Sequence, residues 1–221
     1  MTSKDANPAY NDLVVRFVSA LAMGAVALSA VIAGGIWYTG LVGLAGALMM
    51  WEWRRISSPG ATFSALGYCG AVAMAAWFTF MGLPFQALAS LTVMTGLAAS
   101  FDSVREKQAL WGATGALYIG LAVIFFTAFR LNSAHGIAVV LFVVLVVVAT
   151  DAGAYFAGRR FGRRKLAPRI SPNKTWAGLI GGIVSAEIIG GIFAIFVLGR
   201  SGVELLGVAA LLSLASQMGD L

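Results

Sequence analysis

The chain has 221 residues, of which 60% are hydrophobic and 11% charged, and its mean hydropathy is +0.89. Those values exclude an ordinary soluble domain. Lysine and arginine outnumber aspartate and glutamate by 15 to 9, a balance open to nucleic acid, anionic lipid or a phosphorylated substrate until the charges are placed.

The apolar runs are long and apolar on every face. A bilayer core needs about 20 such residues per helical span, whereas a transmembrane barrel would show short stretches of strict alternation. The expectation is an all-α, polytopic membrane helix bundle of about eight spans, a single membrane domain over residues 1–221. Cys69 is the one cysteine and lies inside an apolar run, so an internal disulfide is excluded.

In chain order, residues 1–12 read as a polar N-terminus, followed by an uncleaved first span at 13–33. Gly34-Gly35 turns the chain into a second span at 36–53, where Trp51 and Trp53 suit the interface and Arg54 and Arg55 the headgroups. Spans three and four are expected at 61–81 and 85–101, both rich in small residues that let helices approach closely in lipid. A charged loop at 102–108 leads to span five at 110–129, and a small loop at 130–135 leads to span six at 136–156. Span seven follows at 176–198 and span eight at 203–219.

With the N-terminus inside, thirteen of the fifteen basic residues fall on inside segments and only Arg130 and Arg200 fall outside. The positive-inside rule thus supports a cytoplasmic N-terminus. It also gives the basic residues a reason to be there that needs no nucleic acid.

One polar stretch, 151–175, interrupts the apolar pattern, and residues 157–174 read as a cytoplasmic substrate-binding loop. Topology brings Asp151, at the exit of span six, to the same membrane face as Asp220, at the end of span eight. Two such acids repel unless a divalent cation joins them, which makes Asp151 and Asp220 the metal candidates, with magnesium the natural ion for nucleotide phosphates. Each could equally do no more than end its helix. Ser171-Pro172-Asn173-Lys174-Thr175 reads as a proline turn that caps span seven, with Lys174 a point charge and the helix start a place for an anion. An ordinary cap beside an interfacial lysine is the commoner meaning of so short a motif. In the basic run 159–165, Arg159 and Lys165 are the substrate candidates, the others being topological charges. Glu187 falls near the middle of span seven, where an ionisable group points to function by default. Glu52 reads as structural and His135 as solvated.

Three segments carry a resemblance: Asp-Ala-Gly-Ala-Tyr-Phe-Ala-Gly-Arg-Arg-Phe-Gly (151–162), Lys-Leu-Ala-Pro-Arg-Ile-Ser-Pro-Asn-Lys-Thr-Trp (165–176) and Ser-Gln-Met-Gly-Asp-Leu (216–221). They resemble the bacterial phosphatidate cytidylyltransferases, also called CDP-diacylglycerol synthases. The resemblance implies conversion of CTP and phosphatidate to CDP-diacylglycerol and pyrophosphate, with magnesium, at the cytoplasmic face of a bacterial inner membrane. It implies catalytic roles for Asp151, Lys174 and Asp220, and substrate contacts for Ser171, Asn173, Thr175, Arg159 and Lys165. A homodimer is a further expectation.

Two departures from the pattern are visible. Ala177 stands where the family commonly has a glutamate, and the family continues past Gly-Asp-Leu with a further signature. The expectation is therefore a chain truncated at its C-terminus, with little activity of its own. Two other readings stay open: a CTP-dependent lipid kinase, which would release CDP, and a non-catalytic membrane scaffold or transporter with Glu187 on its path.

Overall fold

The protein was studied as a computed structural model, which describes residues 8–102, 106–198 and 202–220. Within them the chain forms eight α-helices and one short β-hairpin, gathered into two compact units, Met1–Gly136 and Ile137–Leu221. The all-α membrane class expected from hydropathy is the one observed. Lys4, Arg105 and Arg200, used above for orientation, lie outside the described residues.

The first unit holds α1 (Pro8–Ala33), α2 (Gly35–Ser57), α3 (Thr62–Phe80), α4 (Pro84–Ser100) and α5 (Glu106–Asn132). Helix is the outcome because in lipid every backbone N–H and C=O must find its partner inside the segment. Its core is small: Ala71, Val72, Ala75, Ala87, Leu91 and Ala116 are wholly buried. Large apolar side chains such as Phe17, Trp37, Phe85 and Phe125 face outward, the arrangement suited to a lipid solvent. Arg130, expected in a loop, instead lies in the last turn of α5 and donates to the Val31 and Ile32 carbonyls at 2.6 and 3.1 Å. A cation there satisfies orphan carbonyls at the end of α1.

The second unit holds α6 (Gly136–Phe161), β1 (Lys165–Ala167), β2 (Ser171–Thr175), α7 (Trp176–Leu198) and α8 (Val203–Gly219). Phe142, Val146, Ala186 and Ala209 form its core. Among the described residues, five stretches are long and apolar enough to cross a membrane: Val14–Ala33, Thr62–Phe80, Gln108–Asn132, Gly136–Phe161 and Trp176–Val197. Of the other expected spans, α2 carries Glu52, Arg54 and Arg55 near its end, while α4 and α8 are 17 residues long.

Two local expectations are corrected. The stretch 157–174 is no open loop: α6 continues to Phe161, and antiparallel β1 and β2 follow, paired at Lys165 with Thr175 and Ala167 with Ser171. Helix need not stop where charge begins, since alanine and arginine propagate it well into water. Ser171-Pro172-Asn173-Lys174-Thr175 is a strand, not a turn; the turn lies at Pro168, Arg169 and Ile170. A two-stranded ribbon is all edge, where proline's missing N–H is tolerated.

Helices α6 and α7 meet through glycine. A Cβ on Gly153 would strike Ser185 Oγ and lie 2.6 Å from the Gly181 carbonyl oxygen, and one on Gly158 would lie 3.7 Å from Gly178 Cα. We expect Gly153→Ala to lower stability by about 1–3 kcal/mol through overpacking. An unchanged thermal midpoint in detergent would contradict the close approach.

Candidate active site

Helix α6 presents a polar stripe. Asp151, Tyr155, Arg159 and Gly162 follow at intervals of three or four residues, so they share one face, and all four line a cleft of about 550 Å³. The β-hairpin adds Lys165, Asn173, Lys174 and Thr175; α7 adds Gly178 and Leu179; α8 adds Gln217, and Asp220 follows directly after that helix. Among the described residues, every one that lines the cleft belongs to the second unit. Acids 69 positions apart in sequence, Asp151 and Asp220, thus face one cavity with three cations, Arg159, Lys165 and Lys174.

The cations are held differently. Lys174 Nζ donates to Asp220 Oδ2 at 2.7 Å, with the two side chains 29% and 67% exposed. So accessible a pair contributes only about 0–1 kcal/mol and opens easily when another anion arrives. Arg159 donates through one terminal nitrogen to Tyr155 Oη at 2.9 Å, fixing its head along the stripe.

Thr175 caps α7, as expected: its Oγ1 accepts from the Gly178 N–H at 3.1 Å. The Trp176 N–H donates to the Arg164 carbonyl at 3.1 Å. Two amides expected to be free for an anion at this helix start are therefore already bonded. Ser171 is not among the lining residues. It sits at the far end of β2, four residues from Thr175, or about 13 Å along an extended strand.

Sequence reading missed Tyr155 and Gln217. For Tyr155 the signal was present in its spacing of four from both Asp151 and Arg159, hidden by the expectation that helix ends at 156. For Gln217 the signal was its spacing of three from Asp220, but its contacts to α7 arise only from packing.

A second, apolar groove of about 790 Å³ runs along α6 and α7 on another face. It is lined by Phe156, Phe161, Val184 and Ile188 among others, with Arg160 and Ser185 its polar members.

Comparison with known proteins gives this geometry a lineage. The family model of the Cytidylyltransferase family matches residues 14–221. The chain belongs to that family. The phosphatidate cytidylyltransferase of Brucella suis biovar 1 (strain 1330) is 34% identical over 218 residues, covering 96% of this chain and 78% of the relative. The enzyme of the same name from Bacillus subtilis (strain 168) is 36% identical over 135 residues, covering 61% and 48%. That from Haemophilus influenzae is 52% identical over 62 residues, covering 28% and 22%.

Cytidylyltransferase chemistry asks for a place where a triphosphate and a divalent cation can sit together. Magnesium binds through one or two carboxylates plus water and substrate phosphate oxygens. Asp151 and Asp220 supply such a pair, while among the described residues no group of three or more histidine, cysteine, aspartate or glutamate side chains forms a cage. Two carboxylates are the protein donors that a magnesium ion carried with a nucleotide would need.

Proposed function

We propose that the chain is a phosphatidate cytidylyltransferase: CTP and phosphatidate give CDP-diacylglycerol and pyrophosphate. The observation that carries this reading is the single cleft in which Asp151 and Asp220 face Arg159, Lys165 and Lys174 at one end of a membrane helix bundle. Family membership narrows a generic phosphate site to cytidylyl transfer.

In this reading a phosphatidate phosphate oxygen attacks the α-phosphorus of CTP and pyrophosphate departs, so the protein need supply no nucleophile. Asp151 and Asp220 would hold magnesium, which when bound supplies neutralisation of the triphosphate charge. Lys174 exchanges its weak pairing with Asp220 for a phosphate oxygen, and this releases Asp220 for its own role. Arg159 and Lys165 receive the pyrophosphate end by charge-assisted bonds. Asn173 and Thr175, which line the cleft, contact the substrate, Thr175 also capping α7, while Ser171 stands at the hairpin's outer end. The lipid's acyl chains would lie along the apolar groove of α6 and α7. The same proposal places the cleft at the cytoplasmic face of a bacterial inner membrane. It also includes a homodimer, in which Glu187, exposed in mid-helix on α7, would be covered from lipid.

The test is an incubation of detergent-purified protein with magnesium, phosphatidate and CTP labelled at the α-phosphate. Label entering the lipid phase with equimolar pyrophosphate supports the reading. Release of CDP with phosphate transferred to a lipid alcohol would replace it with a lipid kinase, and no conversion of CTP would leave a scaffold.

A further inference from the structure

Gln217 is the most deeply placed polar side chain of the cleft whose function nothing above explains. It is 7% exposed, and its Nε2 donates to the Leu179 carbonyl at 3.4 Å and to Ser213 Oγ at 3.2 Å. A backbone carbonyl only accepts, so the Leu179 contact favours this orientation of the amide. Among the described residues Oε1 has no hydrogen-bond partner, which leaves it to the cavity that Gln217 lines. Gly182 makes room for this arrangement: a Cβ there would lie 2.9 Å from Nε2 and 3.1 Å from the Thr150 carbonyl oxygen.

The charged groups of the cleft are more open than its neutral amide. Asp151, Arg159 and Lys165 are exposed, Asp220 is 67% exposed, Lys174 is 29% exposed, and Gln217 is nearly closed off. On α8, Gln217 precedes Asp220 by three residues, about one helical turn. A nucleoside triphosphate is graded in the same order, from anionic phosphates through the sugar to a neutral base. With its outer phosphates on the cationic rim and its α-phosphate beside the acids, its base reaches the floor.

We infer that Gln217 reads the base, its Oε1 accepting a hydrogen bond from the exocyclic amino group of cytosine. Cytosine carries an N–H donor at the position where uracil carries a carbonyl acceptor. A freely turning glutamine would serve either base. One whose nitrogen is tied to a backbone carbonyl presents an acceptor only, and a uracil oxygen there would face another oxygen.

This inference rests on the cytidylyltransferase reading, so its test reads binding separately from turnover. Labelled CTP is bound to detergent-purified protein with magnesium and competed with UTP, N4,N4-dimethyl-CTP and 2′-deoxy-CTP. The parent protein is expected to bind UTP and the dimethyl analogue about 10- to 100-fold more weakly than CTP, the range for leaving a buried acceptor unpaired. In Gln217→Leu those ratios collapse to within about threefold, whereas the ratio for 2′-deoxy-CTP stays at the parent value.

A parent that binds the dimethyl analogue as well as CTP overturns the inference without any variant, which covers the case of a variant that does not fold. A folded Gln217→Leu with parental ratios also overturns it, as does a variant that loses only discrimination against the deoxy sugar. Selective CTP binding without product formation would sink the reaction assigned above and leave the base contact standing; absence of CTP binding would sink both.

Discussion

Asparagine in place of Asp151 lowers kcat for CTP turnover by about 10²- to 10³-fold or more, the scale for removing a group aimed at developing charge. The substitution keeps shape and nearly all packing, and Asp151 is exposed on the α6 stripe, so folding stability should move by no more than about 0.5 kcal/mol. The two measurements belong together, kcat at saturating magnesium and the thermal midpoint. Activity retained within tenfold would remove Asp151 from the catalytic group. Lys174→Ala should act differently. Its partner Asp220 is well exposed and easily solvated, so the loss falls mainly on KM for CTP, with a smaller effect on kcat.

Methionine in place of Arg54 is expected to destabilise the first unit by about 3–5 kcal/mol, because it strands a buried carboxylate. Arg54 is 1% exposed and pairs with Asp102 at 2.8 Å, whose side chain is 5% exposed. The guanidinium also donates to Ser58 Oγ, the Gln108 carbonyl and Ser64 Oγ, and lies 5.1 Å from the Tyr68 ring centroid. Tyr68 Oη in turn donates to Asp102 Oδ2 at 3.3 Å. Thermal unfolding in detergent should show a large fall in midpoint for Arg54→Met. The double variant Arg54→Met/Asp102→Leu should recover most of it, since an apolar pair of similar volume often replaces a buried ion pair without loss. Equal destabilisation in single and double variants would show that the hydrogen bonds, and not the stranded charge, set the cost.

Arg54 also marks where sequence reading stops. Following Trp51 and Trp53 at the end of an apolar run, it has the pattern of a headgroup cation, and Arg55 next to it behaves as one, 72% exposed and paired with Glu52. The difference comes from Asp102, 48 residues downstream, a partner that no local pattern reveals. The membrane class and the location of the helices were legible because apolar length in lipid leaves few alternatives. That Asp151 and Asp220 come to one end of their helices, where both line one cleft, was legible from topology. The hairpin was not, because hydropathy is silent about polar backbone. Nor was the Lys174 to Asp220 pairing, which needs the strand and α8 in place.

The glycine contact between α6 and α7 bears on how the cleft can change. Where two helices touch through Gly153, Gly158, Gly178 and Gly181, main-chain atoms and the small side chains of Ala157, Thr175 and Ser185 set their spacing, which leaves little room to absorb a shift. Side chains around the cavity can then be exchanged for others while the α6–α7 frame keeps its dimensions. Lining and frame are, in this protein, separable traits.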